Sequence, residues 1–190
     1  MKYDPLIHHR RSIRLKNYDY RQAGAYFVTF CVQNREHLLG EIIEGEMHLS
    51  DYGRIVTETW LWLAENYSWI VLDVSVVMPN HFHGILVIND EGRRGGSPAP
   101  SPQAQARTAP TSNHKPLGRL VGAFKTVSTK HINQLRGTPG ATFWQRNYYE
   151  HVIRNEADLK RIREYIVLNP ARWNNDLYNP NATGPNPRTS

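Results

Sequence analysis

The chain has 190 residues, 39% of them hydrophobic and 21% charged, which suits one globular domain with tails. The lone cysteine, Cys31, excludes an internal disulfide framework, no apolar run reaches bilayer length, and the start MKYDPLIHHRRSIRL lacks a secretory core, so a cytoplasmic protein with no membrane partner is expected. The net charge of +6 is uneven: Lys and Arg outnumber Asp and Glu six to two over 1–22 and eight to one over 91–140, but fall to one against five over 51–90, a modest footprint for a polyanion.

Residues 1–22 read as a basic N-terminal arm. The run AYFVTFCVQ (25–33) is almost continuously apolar and predicts a central strand. EIIEGEMHLS (41–50) alternates on both sides of Gly45, as a small hairpin does. A helix follows, capped by Ser50 or Asp51, with Tyr52, Ile55, Val56, Thr59, Trp60 and Leu63 on one face. WIVLDVSVVM (69–78) and HFHGILVI (81–88) are strands joined by a Pro79-Asn80 turn. Residues 92–116, rich in Pro, Gly, Ser and Ala, read as a disordered insertion. Leu117, Leu120, Val121, Phe124, Val127, Ile132 and Leu135 then mark a second helix, closed by Gly137. TFWQRNYYEHVI (142–153) predicts one strand or two. Asn155 caps a third helix with an apolar stripe of Leu159, Ile162 and Ile166, stopped by Pro170. The Asn- and Pro-rich tail, 174–190, is expected to be loose. The order β, α, β, β, α, β, α implies an α+β domain whose antiparallel sheet is sandwiched by helices, ferredoxin-like or RNA-recognition-like.

Two groups of residues carry possible chemistry. His81 and His83 flank Phe82 on a strand, so their imidazoles share one face with Ile85 and Val87, while Phe82, Leu86 and Ile88 face the other way. Two imidazoles on a rigid face are half a divalent-metal site, although an isolated pair of this kind is a common strand-edge pattern. Tyr165 and Asn169 lie at i and i+4 on the third helix, one turn apart on the shoulder of its apolar stripe. Taken singly, such a Tyr is more often an edge aromatic and such an Asn structural. Together, two His and a side-chain oxygen can hold Mg²⁺ or Mn²⁺, with a tyrosine one turn away to attack a bound phosphate.

The stretch VVMPNHFHGILVI (76–88), with FWQRNYYEHVIRNEADLKRIREYIVLNPARW (143–173) downstream and LKNYDYRQAGAYFVTFCVQNRE (15–36) upstream, resembles the single-tyrosine, His-hydrophobe-His (HUH) transposases, and among them the REP-associated tyrosine transposases. The resemblance implies a catalytic domain over 23–173, a metal pair at His81 and His83, the nucleophile at Tyr165, and a third ligand at Asn169, where the wider superfamily often carries Gln. It also implies cleavage and rejoining of single-stranded DNA at REP-type hairpins through a 5′-phosphotyrosine, by a nucleoid-associated monomer or homodimer. Arg10, Arg11, Arg14, Lys16, Lys115, Lys125 and Lys130 are candidate phosphate contacts. Tyr148, Tyr149 and His151 are lesser candidates for stacking or proton relay, and Asp158 for supporting the metal. The competing readings are a non-catalytic single-strand-binding module or repressor on the same fold, a metal nuclease that activates water, and a replication initiator or relaxase of the same superfamily.

Overall fold

Alternation along two neighbouring strands decides where everything else goes. In the computed structural model, which describes residues 18–89 and 116–182, β1 (Gly24–Cys31), β4 (Ile70–Met78), β5 (His81–Ile88) and β6 (Tyr149–Ile153) form one antiparallel sheet in the order β4-β5-β1-β6. β2 (Gly40–Ile43) and β3 (Glu46–Leu49) form the separate hairpin expected around Gly45, where Glu44 and Gly45 take the positive φ of 52° and 82° that a tight hairpin turn demands. Among the described residues, three α-helices accompany the strands: α1 (Asp51–Asn66), α2 (Leu117–Leu135) and α3 (Glu156–Leu168). The α+β class and the helix-covered antiparallel sheet are as the sequence implies.

One face of the sheet carries Tyr26, Val28 and Phe30 of β1 and Phe82, Leu86 and Ile88 of β5, and α1 and α2 cover it with Val56, Trp60, Leu63, Leu120, Val121 and Phe124. Burial of these large side chains makes this the main core. α1 comes unusually close: a Cβ on Gly84 would lie 2.7 Å from Trp60 Cζ2 and 2.8 Å from Phe82 Cε1. The opposite face is thinner, with Phe27, Ile85 and Ile153 meeting Ile162 and Ile166 of α3. α3 is also tied to β4 by Arg163, whose Nε and Nη2 donate to both carboxylate oxygens of Asp73, beside a register shift between Leu72 and Ser75. Ser50, not Asp51, caps α1, its side chain accepting from Gly53 N at 3.2 Å. Asn155 caps α3 by accepting from Asp158 N at 2.8 Å.

Three local expectations change. In α2, Ser128 is buried whereas Val127 is only half-buried and Leu135 is exposed. The Ser128 hydroxyl donates to Phe124 O at 2.7 Å and accepts from Trp144 Nε1 at 2.9 Å, so a polar group enters the stripe to satisfy a buried indole. Of 142–153, only Tyr149–Ile153 is a strand; Phe143 and Trp144 are core aromatics, with one bridge from Val32 to Trp144. Finally, a 3-10 segment, Pro170–Asn175, follows α3, and Trp173 and Tyr178 place their rings against His81 of β5. Asn179 Nδ2 donates to Trp173 O at 3.0 Å and Asp176 Oδ1 accepts from Tyr178 N at 2.6 Å. The Asn and Asp residues read as loose are turn-formers that bond their own backbone.

Candidate active site

His81 and His83 stand on β5 at the middle of the thin face, both essentially inaccessible to solvent. Their Nε2 atoms face each other at 2.9 Å. Burial keeps both imidazoles neutral, pushing His83 down to about 3 and His81 well below its ordinary range, the latter also through the His83 and Arg35 charges. The outer nitrogens are held from neighbouring elements. Asn80 Nδ2 donates to Arg35 O and Tyr178 O, which leaves Asn80 Oδ1 to accept from His81 Nδ1 at 2.8 Å. His81 therefore carries its proton on Nδ1 and presents a bare Nε2 to the site. His83 Nδ1 lies 2.8 Å from Thr29 Oγ1, its register partner on β1.

Tyr165 reaches the same point from α3. The residue is 37% exposed, but its hydroxyl turns inward to within 3.2 Å of His83 Nε2. Burial of that oxygen, then the Asp176 charge, raises the Tyr165 pKa, and hydrogen bonding from Asn169 opposes the rise. Asn169 follows α3 directly and is buried, and its Oδ1 has no partner among the described residues. The additional member is Asp176. One oxygen of its carboxylate lies within 4.8 Å of a ring nitrogen of each histidine, and burial raises its pKa. Nothing in the sequence pointed to Asp176, because the 3-10 turn brings it back by tertiary packing. The rings of Trp173 and Tyr178 lie 6.0 and 4.6 Å from the His81 ring, and Arg35, itself at a left-handed φ of 58°, sits 5.5 Å from the Tyr178 ring.

The donor set fits a divalent cation. Two ligands each about 2.1 Å from an octahedral cation and at right angles lie about 3.0 Å apart, close to the Nε2 separation of 2.9 Å. Each histidine is anchored through its second nitrogen, as metal-ligating histidines are. The orphaned Oδ1 of Asn169 and the carboxylate of Asp176 offer the hard oxygen donors that Mg²⁺ and Mn²⁺ prefer.

The other candidates separate from this centre. Arg10, Arg11, Arg14, Lys16 and Lys115 lie outside the described residues. Lys125 is turned inward: its ammonium donates to Gln145 O and Asn147 O at 2.8 and 3.1 Å, over the Phe30 and Tyr148 rings, and burial lowers its pKa to about 8. Lys130 is exposed on α2, along a groove of about 570 Å³ shared with Trp144 and Arg146. Asp158 bonds His151 and Arg161 at 2.7 and 2.6 Å rather than the histidine pair. Among the described residues, no helix is long and apolar enough to cross a membrane.

A sheet with a buried His-x-His pair, faced by a helix-borne tyrosine, is a fold shared with known structures. The solved structure of a REP-associated tyrosine transposase bound to a REP hairpin superposes with a TM-score of 0.56 at 17% identity, over 84% of this chain and 73% of that one. A Haemophilus influenzae protein of uncharacterized function is 39% identical over 92% of this chain and 96% of its own length. A second H. influenzae protein, "Putative REP-associated tyrosine transposase", is 23% identical over 83% of this chain and 77% of its own. No family model matches the sequence. The chain shares the fold of that REP-associated tyrosine transposase, and its curated relatives include a distant protein described as a putative member of the same family.

Proposed function

We propose that this protein cleaves and rejoins single-stranded DNA beside REP-type hairpins, with Tyr165 as nucleophile and Mg²⁺ or Mn²⁺ as cofactor. The observation that carries this reading is the 3.2 Å approach of Tyr165 Oη to His83 Nε2, which itself faces His81 Nε2 at 2.9 Å. A candidate nucleophile and a candidate metal pair from different elements thus meet at one point. The hairpin as partner is proposed by analogy with the relative solved on a REP hairpin.

His81 and His83, with oxygens from Asn169 and Asp176, would hold the cation, which when bound supplies Lewis-acid polarisation of the scissile phosphate. The chain's own residues do the rest. The α3 scaffold aims Tyr165 Oη at the phosphorus; the new O–P bond forms as the bond to the 3′-oxygen breaks. The phenol loses its proton, the leaving 3′-oxygen gains one, and the 5′-phosphate remains on Tyr165. Attack by a 3′-OH on that phosphotyrosine reverses the step, so no external energy is needed. The approach of Tyr165 to the histidines of its own chain supports a reading in which one protomer supplies every group named. A protein acting on chromosomal repeats would work at the nucleoid.

The test is a denaturing gel with a hairpin-bearing single strand and Mg²⁺ or Mn²⁺. A metal-dependent upward shift of the protein, absent in Tyr165→Phe, is the expected result. Cleavage with no adduct would replace this reading with a water-activating nuclease, and binding with neither would leave a non-catalytic module.

A further inference from the structure

Beside Tyr165, the thin face carries a second exposed aromatic that the proposed chemistry does not use. Tyr149 lies on β6, the sheet's edge strand, paired in register with Thr29, whose hydroxyl contacts His83. The residue is 43% exposed, and its ring makes an edge contact with Phe27 at 6.1 Å. Phe27 in turn stacks on His83 at 5.4 Å and meets Tyr165 edge-on at 6.1 Å. Two half-exposed tyrosines thus flank one buried phenylalanine, with ring centres at most about 12 Å apart, twice 6.1 Å. Leu168, one turn beyond Tyr165 and also exposed, widens the surface.

Packing alone is a poor explanation for Tyr149. Its contact with Phe27 leaves the side chain substantially exposed, and among the described residues its hydroxyl is not tied to another side chain or carbonyl. The half-exposed side chain stands next to Phe27, which stacks on a histidine of the site that would hold a phosphate. Single-strand binders use aromatic platforms of this kind, because every base has a face to stack.

Resting on the reading of Tyr165 as nucleophile, we infer that Tyr149 is the stacking platform for a nucleobase next to the scissile phosphate. It positions the strand and does not react. Stacking through a π-face is tolerant of base identity, so Tyr149 fixes where the strand lies more than which base is read.

The experiment places 2-aminopurine in turn on each side of the cleavage position and measures fluorescence and affinity with Tyr165→Phe protein, which cannot turn over. Quenching at one position is expected. Adding Tyr149→Ala or Tyr149→Leu should abolish it and weaken binding about tenfold, while Tyr149→Phe and Tyr149→Trp should preserve both. The leucine variant still covers Phe27, so its failure separates stacking from packing. Undiminished binding and quenching in the leucine variant, or loss in the phenylalanine variant, would overturn the assignment. Adduct formation by otherwise wild-type protein on the same strand is scored in parallel. Its absence sinks the tyrosine mechanism, whereas an adduct with no Tyr149 effect sinks only the platform.

Discussion

Asn80 Oδ1 and His81 Nδ1 lie 2.8 Å apart, and the same amide donates to the carbonyls of Arg35 and Tyr178. One turn residue therefore fixes the tautomer of a candidate ligand and secures two flanking segments. Asn80→Ala should weaken divalent-metal binding by about 10- to 100-fold, the usual cost of losing an outer-shell partner. It should also lower thermal stability, since two carbonyls lose their donor. Calorimetric titration with Mn²⁺ beside a melting curve checks both; unchanged metal affinity would mean that the imidazole needs no such anchor.

The oxygen donors can be ranked. Saturating Mn²⁺ at a hundredfold excess over Kd should stabilise the wild type by about 2.7 kcal/mol. His81→Ala should abolish this gain. Asn169→Ala and Asp176→Ala should each reduce it, and whichever retains the full shift is no ligand.

The clamp between Arg163 and Asp73 predicts a pH-dependent contribution. Burial tends to raise the Asp73 pKa, but hydrogen bonds from Arg163 and Val74 N, with the Arg163 charge, hold it below the usual carboxylate value. A lowered folded-state pKa stabilises above the unfolded value of 3.8 and loses that effect as pH falls through the folded value. With the Arg163 side chain 42% exposed, Arg163→Ala should cost only about 1 kcal/mol at pH 7. That difference should be smaller near pH 3, below the unfolded value of 3.8. Urea titrations at both pH values measure it, and a difference unchanged with pH would show that Arg163 acts by packing.

Gly84 tests the tight side of the sheet. An added methyl collides with Trp60 Cζ2 and the Phe82 ring, so Gly84→Ala should destabilise by about 1–3 kcal/mol through overpacking. Because Gly84 follows His83 directly, metal affinity should fall as well if the strand shifts. A wild-type melting temperature would mean that Trp60 moves aside freely.

The parts of the site carried by regular spacing were legible in the sequence. Period-two alternation put His81 and His83 on one face, and helical spacing put Tyr165 and Asn169 one turn apart. Asp176 was not, since it arrives by way of a 3-10 turn whose Asn and Asp residues resemble a solvated tail. Lys125 shows the same limit from the other side: its spacing suits an exposed cation, yet the carbonyls of Gln145 and Asn147 draw its ammonium inward. Ser128 entered a core stripe because an indole 16 residues away needed an acceptor. Each miss is a contact distant in sequence overriding a local preference.

The unequal covering of the two sheet faces bears on how the molecule breathes. α3 buries only Ile162 and Ile166, whereas the strand carrying the histidines is locked between β1 and β4 over the main core. Local opening follows the weakest attachment, so amide exchange in α3 should run ahead of exchange in β1 and β5. Such opening would carry Tyr165 away from imidazoles that stay in place, and the Arg163–Asp73 pair is the contact that would oppose it.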